Sequence, residues 1–321
     1  MDVLFVADPL ESFNVKKDST FAMMREAQRR GHSILACEPK DLVWRSGGRV
    51  EAPMRAIDLT GEPGRWFVER APASGRTRRA LADVGAVLMR KDPPFDSEYF
   101  YATHLLGHAE REGARVFNSP RALRDHPEKL AILEFPEWTA PTLVTRDPTA
   151  LRAFHAEQGD IILKPLDGMG GAGIFRVGRD GMNLGSIVET LNAGGAHTVM
   201  AQAYLPRIAE GDKRVLVIGG RPVPHVLARI PQGQEIRGNL AAGGKGVARP
   251  IAAEDRAIAE ALGPTLAARG LLLVGLDVIG DRLTEINVTS PTCFQEIADQ
   301  TGTDVAALFL DALEIALAAR G

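Results

Sequence analysis

The order of predicted strands and helices changes near residue 122, and this change most limits the folds open to the chain. Before it, apolar strands alternate with amphipathic helices, which is typical of a doubly wound, mostly parallel sheet. The predicted strands cover 3–7, 34–37, 86–90 and 115–118, and the helices 20–30 and 97–112. We therefore predict an α/β domain over residues 1–122.

After residue 122 strands often follow one another without an intervening helix. They are predicted at 142–145, 160–164, 173–177, 198–203, 214–218 and 222–229, with a strand pair over 271–288. Helices are predicted near 149–157, 253–269 and 304–319. Consecutive strands of this kind favour antiparallel sheets, so we predict an α+β domain over residues 123–321.

Composition excludes several classes of protein. Lys plus Arg number 38 and Asp plus Glu 41, a net charge of −3, so the chain lacks the basic field of most nucleic-acid-binding proteins. No apolar stretch approaches the ~20 residues of a membrane-spanning helix. The two cysteines, Cys37 and Cys293, are far apart and form no disulfide framework, which favours a reducing cytoplasm.

A glycine loop lies between two predicted strands. Asp167 to Gly173 contains G-x-G-x-x-G, but the residues that follow, Ile174 to Val177, predict a strand and not the helix that a dinucleotide fold requires. A glycine loop between strands can lay backbone amides over phosphates. Lys164, at the end of the preceding strand, is a suitable phosphate ligand. Without Lys164, a flexible surface hairpin would explain the loop equally well.

Acidic residues lie on one face of the predicted hairpin at 271–288. Leu276, Val278, Ile286 and Val288 should share the core side, which places Asp277, Glu285 and Asn287 together on the other face. This pairing requires an odd loop, for which we predict the three residues 280–282. Carboxylate and amide oxygens suit Mg²⁺. A solvated polar face is the alternative, although Asp277 interrupts an apolar run and would be costly without a partner.

Two arginines and a long glycine-rich segment complete the candidate site. A tight turn at Gly219-Gly220 would bring Arg214 and Arg229 to one strand face, where they could hold phosphoryl oxygens. Residues 230–246 contain five glycines and little periodicity, and we predict that they form a lid. Arg237, Asn239 and Lys245 would provide its anion contacts.

Long strings of residues resemble the prokaryotic glutathione synthetase family over nearly the whole chain. They are 16–19, 88–96, 161–171, 211–215, 228–246 and 275–293. The resemblance implies an ATP-grasp fold with a smaller ATP-binding subdomain at 123–203 and a C-terminal catalytic subdomain at 204–321. It also implies ATP, Mg²⁺ (or Mn²⁺ in its place), and a cytoplasmic homotetramer. The implied partners are γ-glutamylcysteine and glycine, with no nucleic acid and no membrane.

The resemblance also implies roles for single residues. The implied ATP ligands are Lys129, Lys164, Gly168, Met169, Gly170, Gly171, Gln202, Tyr204, Leu205 and Asp212. Arg214, Arg229 and Asn239 are expected at an acyl phosphate, and Asp277, Glu285 and Asn287 at the metal. Arg90, Arg229, Arg237 and Ser290 are expected to hold the peptide substrate.

Two other functions remain open at this point. One is another ATP-grasp carboxylate–amine ligase, which would share the ATP and metal residues and differ in its acyl donor or amine acceptor. The other is a non-catalytic nucleotide-binding protein or a dehydrogenase, and the strand after the glycine loop argues against the dehydrogenase.

Overall fold

The first domain is built around a mixed six-stranded sheet. The structure is a computed structural model that describes residues 1–62, 64–70 and 78–319. The strands of this domain are β1 (Asp2–Val6), β2 (Ser33–Cys37), β3 (Glu51–Pro53), β4 (Arg55–Glu62), β5 (Arg65–Glu69), β6 (Arg78–Ala80), β7 (Ala86–Met89) and β8 (Val116–Phe117). The helices are α1 (Ser19–Arg29), α2 (Ser97–Arg111) and α3 (Pro120–Asp125).

The main sheet of this domain has the order β5-β4-β2-β1-β7-β8, and its last four strands are parallel. Both faces are buried, because Leu4 and Val6 face one apolar core and Val3 and Phe5 face another. The doubly wound prediction is confirmed. The antiparallel β4–β5 hairpin at the sheet edge was not predicted, because its mixed polar and apolar residues give no clear alternation.

The second half contains two antiparallel sheets. The smaller has the order β11-β10-β12-β9, formed by β9 (Thr142–Thr145), β10 (Ile161–Pro165), β11 (Phe175–Val177) and β12 (Val199–Ala203). It packs against α4 (Pro148–Gln158) and α5 (Leu184–Asn192) through a core that includes Leu151, Leu163 and Val188. This is the α+β arrangement predicted for the region.

The larger sheet has the order β16-β15-β13-β17-β18, with β14 paired to β13. Its strands are β13 (Asp212–Ile218), β14 (Arg221–Pro222), β15 (His225–Ile230), β16 (Lys245–Pro250), β17 (Leu273–Ile279) and β18 (Arg282–Asn287). The helices are α6 (Ala253–Ala268), α7 (Phe294–Thr301) and α8 (Val305–Ala318). No helix in the described ranges is long and apolar enough to cross a membrane.

The β17–β18 turn differs from the prediction. Ile279 pairs with Arg282, so the turn contains two residues and not three. A bulge after Asp277 adds one residue on the β18 side, at Thr284, because Asp277 pairs with Glu285 whereas Val278 pairs with Leu283. The bulge restores the parity that a three-residue loop would have supplied, and Asp277 and Glu285 still meet as predicted.

The predicted lid is also shorter than expected. Ile230 pairs with Lys245 at the start of the β15–β16 ladder, so the connecting loop covers residues 231–244. We call this segment the lid loop. Lys245 belongs to β16 because its backbone pairs with Ile230 of β15. The glycine-rich composition of the segment gave no indication of this pairing.

The two halves of the chain are joined by a buried amide. Residue 122, the proposed end of the first domain, lies inside α3, which leads from one half to the other. Just before it, the side chain of Asn118 donates to the carbonyl oxygens of Leu273 and Val288, both at 2.8 Å, and accepts from the N–H of Leu273 at 3.0 Å. Asn118 therefore ties the end of β8 to β17 and to the residue that follows β18.

Replacing Asn118 should weaken the whole chain. Asn118→Ala leaves one N–H and two carbonyl oxygens without their partner, so we expect a loss of ~2–4 kcal/mol in the free energy of unfolding, measured in urea. Asn118→Asp keeps the acceptor but faces two carbonyl oxygens, and should be no more stable than the alanine variant. A loss below ~1 kcal/mol for both variants would contradict this role.

Candidate active site

A deep cleft lies between the smaller sheet and the larger one. It consists of two connected cavities with empty volumes of about 730 and 1060 Å³. They share Ile174, Asn239, Asp277 and Glu285 in their walls. The smaller sheet, the larger sheet and the lid loop each contribute residues, so the cleft exists only where the three meet.

The predicted ATP residues divide between the two cavities. Those in the first are Lys164, Gln202, Tyr204, Leu205 and Asp212, beside apolar residues such as Ile162 and Ile208. Those in the second are Lys129 and the glycine loop from Gly168 to Gly171. The first cavity thus has the apolar character that suits a flat base, and the second has exposed amides and a lysine that suit phosphates.

Tyr204 is held by a neighbour that the sequence did not reveal. The guanidinium of Arg176, on β11, lies 3.7 Å from the centre of the Tyr204 ring. Arg176 also forms an ion pair with Asp160 at 2.6 Å, and the N–H of Tyr204 donates to the backbone oxygen of Asp160 at 2.9 Å. These contacts fix the linker after β12 at the wall of the first cavity.

Two buried lysines face the cleft in different electrostatic states. Lys129 contacts Glu285 at 3.2 Å and donates to the backbone oxygen of Gly168. Lys164 donates only to the backbone oxygen of Thr284 at 3.3 Å and forms no ion pair within the described residues. Burial lowers the pKa of Lys164. The ammonium group of Lys164 lies at the cleft wall, where it can donate to phosphate oxygens.

A buried ion-pair cluster lies at the centre of the large sheet. Register places Arg214 opposite Asp277 on the neighbouring strand, and Arg229 opposite Asp212. Arg214 Nε lies 2.6 Å from Asp277, Arg229 lies 2.9 Å from Asp277, and Arg229 lies 2.5 Å from Asp212. Arg214 and Arg229 therefore share one face, as predicted, and we call these four residues the Asp–Arg cluster.

The two carboxylates of the Asp–Arg cluster respond differently to burial. Burial raises the pKa of Asp212, and Arg229 only partly offsets it. Asp277 is buried as well, but Arg214 and Arg229 outweigh burial and lower its pKa. Asp277 is therefore a stable anion, and Asp212 keeps its Oδ1 atom buried without a partner among the described residues.

The oxygen donors on this face fit a divalent cation that takes further ligands from phosphate. A carboxylate offers about four lone-pair sites. Three arginine N–H groups approach Asp277, which leaves one site. The side-chain N–H of Asn287 donates to the backbone oxygen of Gly275 at 3.1 Å, which leaves the side-chain oxygen of Asn287 available to a cation. Within the described ranges no three His, Cys, Asp or Glu side chains form a metal cluster, and a cation held at this face would take its remaining ligands from phosphate oxygens.

The lid loop is packed down over the cleft. Arg237 donates to the backbone oxygen of Gly171 at 3.1 Å and pairs with Glu235 at 2.5 Å. A Cβ atom at Gly171 would lie 2.7 Å from Asn239 Oδ1, and one at Gly238 would lie 2.2 Å from Arg229 O. Lys245 lines neither of the two cavities, contrary to the prediction. It is exposed on β16, outside the cleft.

One of the four predicted peptide-binding residues, Arg90, lies outside the two main cavities. Ser290 lines the second cavity. Arg90 lies in an adjoining cavity that shares Asp92, Pro93 and Met169 with the second. It donates to Thr20 Oγ1 and to Pro291 O, both at 3.1 Å, and burial lowers its pKa. Arg90 has no ion pair within the described residues, so its guanidinium group can bind a carboxylate.

Two residues of the second cavity, Glu128 and Thr289, were not predicted from the sequence. Both line this cavity together with Thr292 and Cys293. Cys293 is buried, with a φ of 85°. The signal in the sequence that could have indicated Glu128 is its position directly before Lys129.

Known proteins resemble this chain in fold and, over its full length, in sequence. D-cycloserine synthetase DcsG matches with a TM-score of 0.67 and 16% identity, covering 98% of this chain and 99% of that one. The ATP-grasp ligase PsnB, solved with a minimal precursor, Mg and ADP, matches with a TM-score of 0.60 and 22% identity, covering 99% and 97%. At these identities the likeness concerns the fold alone.

The sequence comparisons are more specific. The family model "Prokaryotic glutathione synthetase, N-terminal domain" matches residues 1–124, and "Prokaryotic glutathione synthetase, ATP-grasp domain" matches residues 128–302. Glutathione synthetase of Ralstonia nicotianae is 62% identical over 315 residues, which cover 98% of this chain and 95% of that protein. That of Nitrosomonas europaea is 56% identical over 320 residues, which cover 98% of each.

A glycine loop and two lysines facing an acidic sheet across a cleft, on this fold, define an ATP-grasp enzyme, an ATP-dependent ligase. The full-length matches identify it further. The chain belongs to the prokaryotic glutathione synthetase family, and its function is that of a glutathione synthetase.

Removing the unpaired ammonium in the cleft should affect ATP and spare the fold. Lys164→Met should weaken ATP binding ~10- to 100-fold by calorimetry, the cost of a hydrogen bond to a charged group. The melting temperature should not fall, because the variant removes a buried charge that has no anionic partner. Lys40→Met, at an exposed lysine, is the matched control. Unchanged ATP affinity in Lys164→Met would exclude Lys164 from the nucleotide site.

A side chain at Gly238 should lift the lid loop. Gly238→Ala places a Cβ atom against the backbone of Arg229, so the loop cannot keep its packed position. We expect trypsin to cut after Arg237 at least several-fold faster than in the unaltered protein. Gly178→Ala, where the nearest atom would lie at 3.5 Å, should leave the rate unchanged. Equal cutting rates in both variants would show that the loop does not depend on this contact.

Proposed function

We propose that the protein joins γ-glutamylcysteine to glycine and forms glutathione, ADP and phosphate through an acyl phosphate. The observation that supports this proposal is the Asp–Arg cluster, whose arginines face the glycine loop across the second cavity. The terminal phosphoryl group of ATP passes to an oxygen of the cysteinyl carboxylate. The glycine amine then attacks the carbonyl carbon and loses a proton, and phosphate departs with the activated oxygen.

The nucleotide would lie across both cavities. Gln202, Tyr204 and Leu205 would contact the base in the first cavity. Lys164 and Lys129 would approach the phosphates from two sides, and the amides of Gly168 to Gly171 would cover them. Asp212, which lines the first cavity with a carboxylate oxygen free, would accept from the nucleotide.

Asp277, Glu285 and Asn287 would hold Mg²⁺, and their face borders both cavities. The cation would neutralise charge on the phosphates as the phosphoryl group is transferred. Glu285 contacts Lys129 at 3.2 Å, so this carboxylate would turn from the lysine to the cation when the nucleotide binds. Lys129 would then be free to contact phosphate.

Arg214, Arg229 and Asn239 would stabilise the negative charge of the transferring phosphoryl group and of the acyl phosphate. Both arginines lie in a buried, low-dielectric cluster, where a donor aimed at a developing charge has its largest effect. Arg90, Arg229, Arg237 and Ser290 would hold the peptide, whose two carboxylates and ammonium group need charged and polar partners. Water must be excluded because it hydrolyses acyl phosphates, and the lid loop lies where it would exclude it.

We further propose that the chain works as a cytoplasmic homotetramer whose partners are small-molecule substrates. Its two buried free cysteines support a reducing cytoplasm, its net charge of −3 favours small-molecule partners over nucleic acid, and the tetramer is taken from the family resemblance. Light scattering coupled to size-exclusion chromatography measures the oligomeric state directly, and a monomer at micromolar concentration would exclude the tetramer.

A phosphate-release assay over acyl donors and amine acceptors tests the proposed substrates. Phosphate should appear only when ATP, γ-glutamylcysteine and glycine are all present, with one phosphate for each amide bond. The matched controls replace the donor by D-alanine or the acceptor by β-alanine. Faster turnover of another donor–acceptor pair would assign the protein to a different ATP-grasp reaction.

The proposed metal face gives a second test. Glu285→Ala should lower kcat by ~10²-fold or more with the fold intact, the scale of removing a major electrostatic stabiliser. Asp281→Ala removes an exposed carboxylate from the turn of the same hairpin and should have no such effect. Near-normal turnover of Glu285→Ala at saturating Mg²⁺ would remove this face from the active site.

A further inference from the structure

Glu128 lies at the wall of the second cavity, directly before Lys129 and three residues after the end of α3. Its carboxylate forms no ion pair within the described residues, whereas Glu285 and Asp277 in the same cavity are both paired with cations. Its partners are instead uncharged donors, and all of them belong to one short segment, residues 286–289, which covers the end of β18 and the two residues after it.

That segment is held at four points. One carboxylate oxygen of Glu128, Oε1, accepts from the N–H of Val288 at 2.9 Å, the N–H of Thr289 at 3.1 Å and the hydroxyl of Thr289 at 2.8 Å. The backbone oxygen of Glu128 accepts from the N–H of Ile286 at 2.9 Å. Hydrogen bonds to a charged acceptor are short and directional, so Glu128 fixes residues 286–289 from one side.

The held segment joins two parts of the proposed site. Asn287, a proposed metal ligand, lies inside it, and Ser290, a proposed peptide ligand, follows it directly. Asn118 holds the same segment from its other side through the carbonyl oxygen of Val288. With Glu128 removed, two backbone N–H groups would lose their acceptor and the segment could shift while the rest of the sheet stayed paired.

The neighbouring residue acts on the opposite wall. Lys129 contacts the backbone oxygen of Gly168 in the glycine loop and the carboxylate of Glu285. Two consecutive residues therefore orient two different sides of the cavity. Lys129 serves the phosphate side, and Glu128 serves the side on which the peptide would lie.

We propose that Glu128 is a positioning residue that sets residues 287–290 for the peptide substrate, an inference that rests on the proposed function. It touches no reacting atom and acts through Thr289 and Val288. A displacement of ~1 Å in such a segment is enough to cost ~10²-fold in turnover. The effect should appear mainly in the use of the peptide and much less in the binding of ATP, because Asn287, Thr289 and Ser290 line the second cavity and none of them lines the first.

The test compares kcat and the three KM values of Glu128→Ala, Glu128→Gln and the unaltered protein. Glu128→Ala should raise KM for γ-glutamylcysteine ~10-fold or more, lower kcat, and keep KM for ATP within ~2-fold. Glu128→Gln keeps one carbonyl acceptor and should lie between the two. A parallel rise in KM for ATP and the peptide, or a lower melting temperature with all KM values unchanged, would overturn the proposal.

Two further variants keep the test decisive if Glu128→Ala does not fold. Thr289→Val removes one donor and leaves the carboxylate in place, and Thr289→Ser, which keeps the hydroxyl, should recover most of the KM that Thr289→Val loses. Equal KM values in these two variants would count against the inference.

Glu26→Gln is the matched control for losing a buried carboxylate, since Glu26 is bound by Arg29 and Arg30 on α1. It should lower stability and leave every KM unchanged. If the unaltered protein itself shows no dependence on γ-glutamylcysteine, the proposed function fails. If it does and Glu128→Ala behaves like Glu26→Gln, only the role of Glu128 fails.

Discussion

The contacts of Asp277 with Arg214 and Arg229 connect the fold of this protein to its chemistry. Two cations and the carboxylates of Asp212 and Asp277 are buried in the middle of the large sheet, where each unpaired charge would cost several kcal/mol. The arrangement is tolerated because three neighbouring strands hold the partners in register. Under the proposed function this cluster, which is neutral as a whole, would exchange contacts when a triphosphate and a cation enter, since the arginines would gain new anions as the carboxylates gain a cation. The sheet thus holds these charged groups in fixed orientations before the substrates bind, which is the condition for strong electrostatic stabilisation of a transition state.

Close backbone approach is the second constraint around this cluster. At Gly275 a Cβ atom would lie 2.8 Å from Arg214 Cδ, so only glycine lets the arginine side chain cross β17. At Gly238 and Gly244 the lid loop packs against Arg229 and against itself at distances that leave no room for a side chain. The glycines of the lid loop are therefore needed for its close packing as much as for its freedom to move. A glycine-rich segment that appears flexible in sequence is compact here because its backbone replaces side chains as the packing surface.

Much of the fold and part of the site could be predicted, and particular residues show why the remainder could not. Short apolar runs located β1, β2 and β7, and longer amphipathic stretches located α1, α2, α4, α6 and α8, because burial leaves a pattern in the chain. The shorter helices α3, α5 and α7 were not predicted. The face shared by Asp277, Glu285 and Asn287 followed from the apolar periodicity of the hairpin.

The bulge at Thr284 could not be predicted in this way, since an extra residue in a ladder is decided by how the partner strand is held. The first two residues of β16, Lys245 and Gly246, were predicted to belong to the lid because their backbone pairing with β15 leaves no apolar pattern in the sequence. Glu128 was missed because its four contacts are made with residues more than 150 positions away.

By itself the sequence determined the types of element, the two halves of the chain and the kinds of side chain available for chemistry, because these depend on local periodicity and on the properties of single residues. The matching strings also determined the family. Only the tertiary structure decided which charges neutralise one another and that, among the described residues, Lys164 forms no ion pair while Lys129 contacts Glu285. It also decided that Asn118 and Glu128 hold the segment at the end of β18. The physical reason is that these contacts join residues far apart in the chain, and their energies depend on burial and on distances of a few tenths of an ångström. Such distances are set when three sheets pack together and are not encoded in any one stretch of sequence.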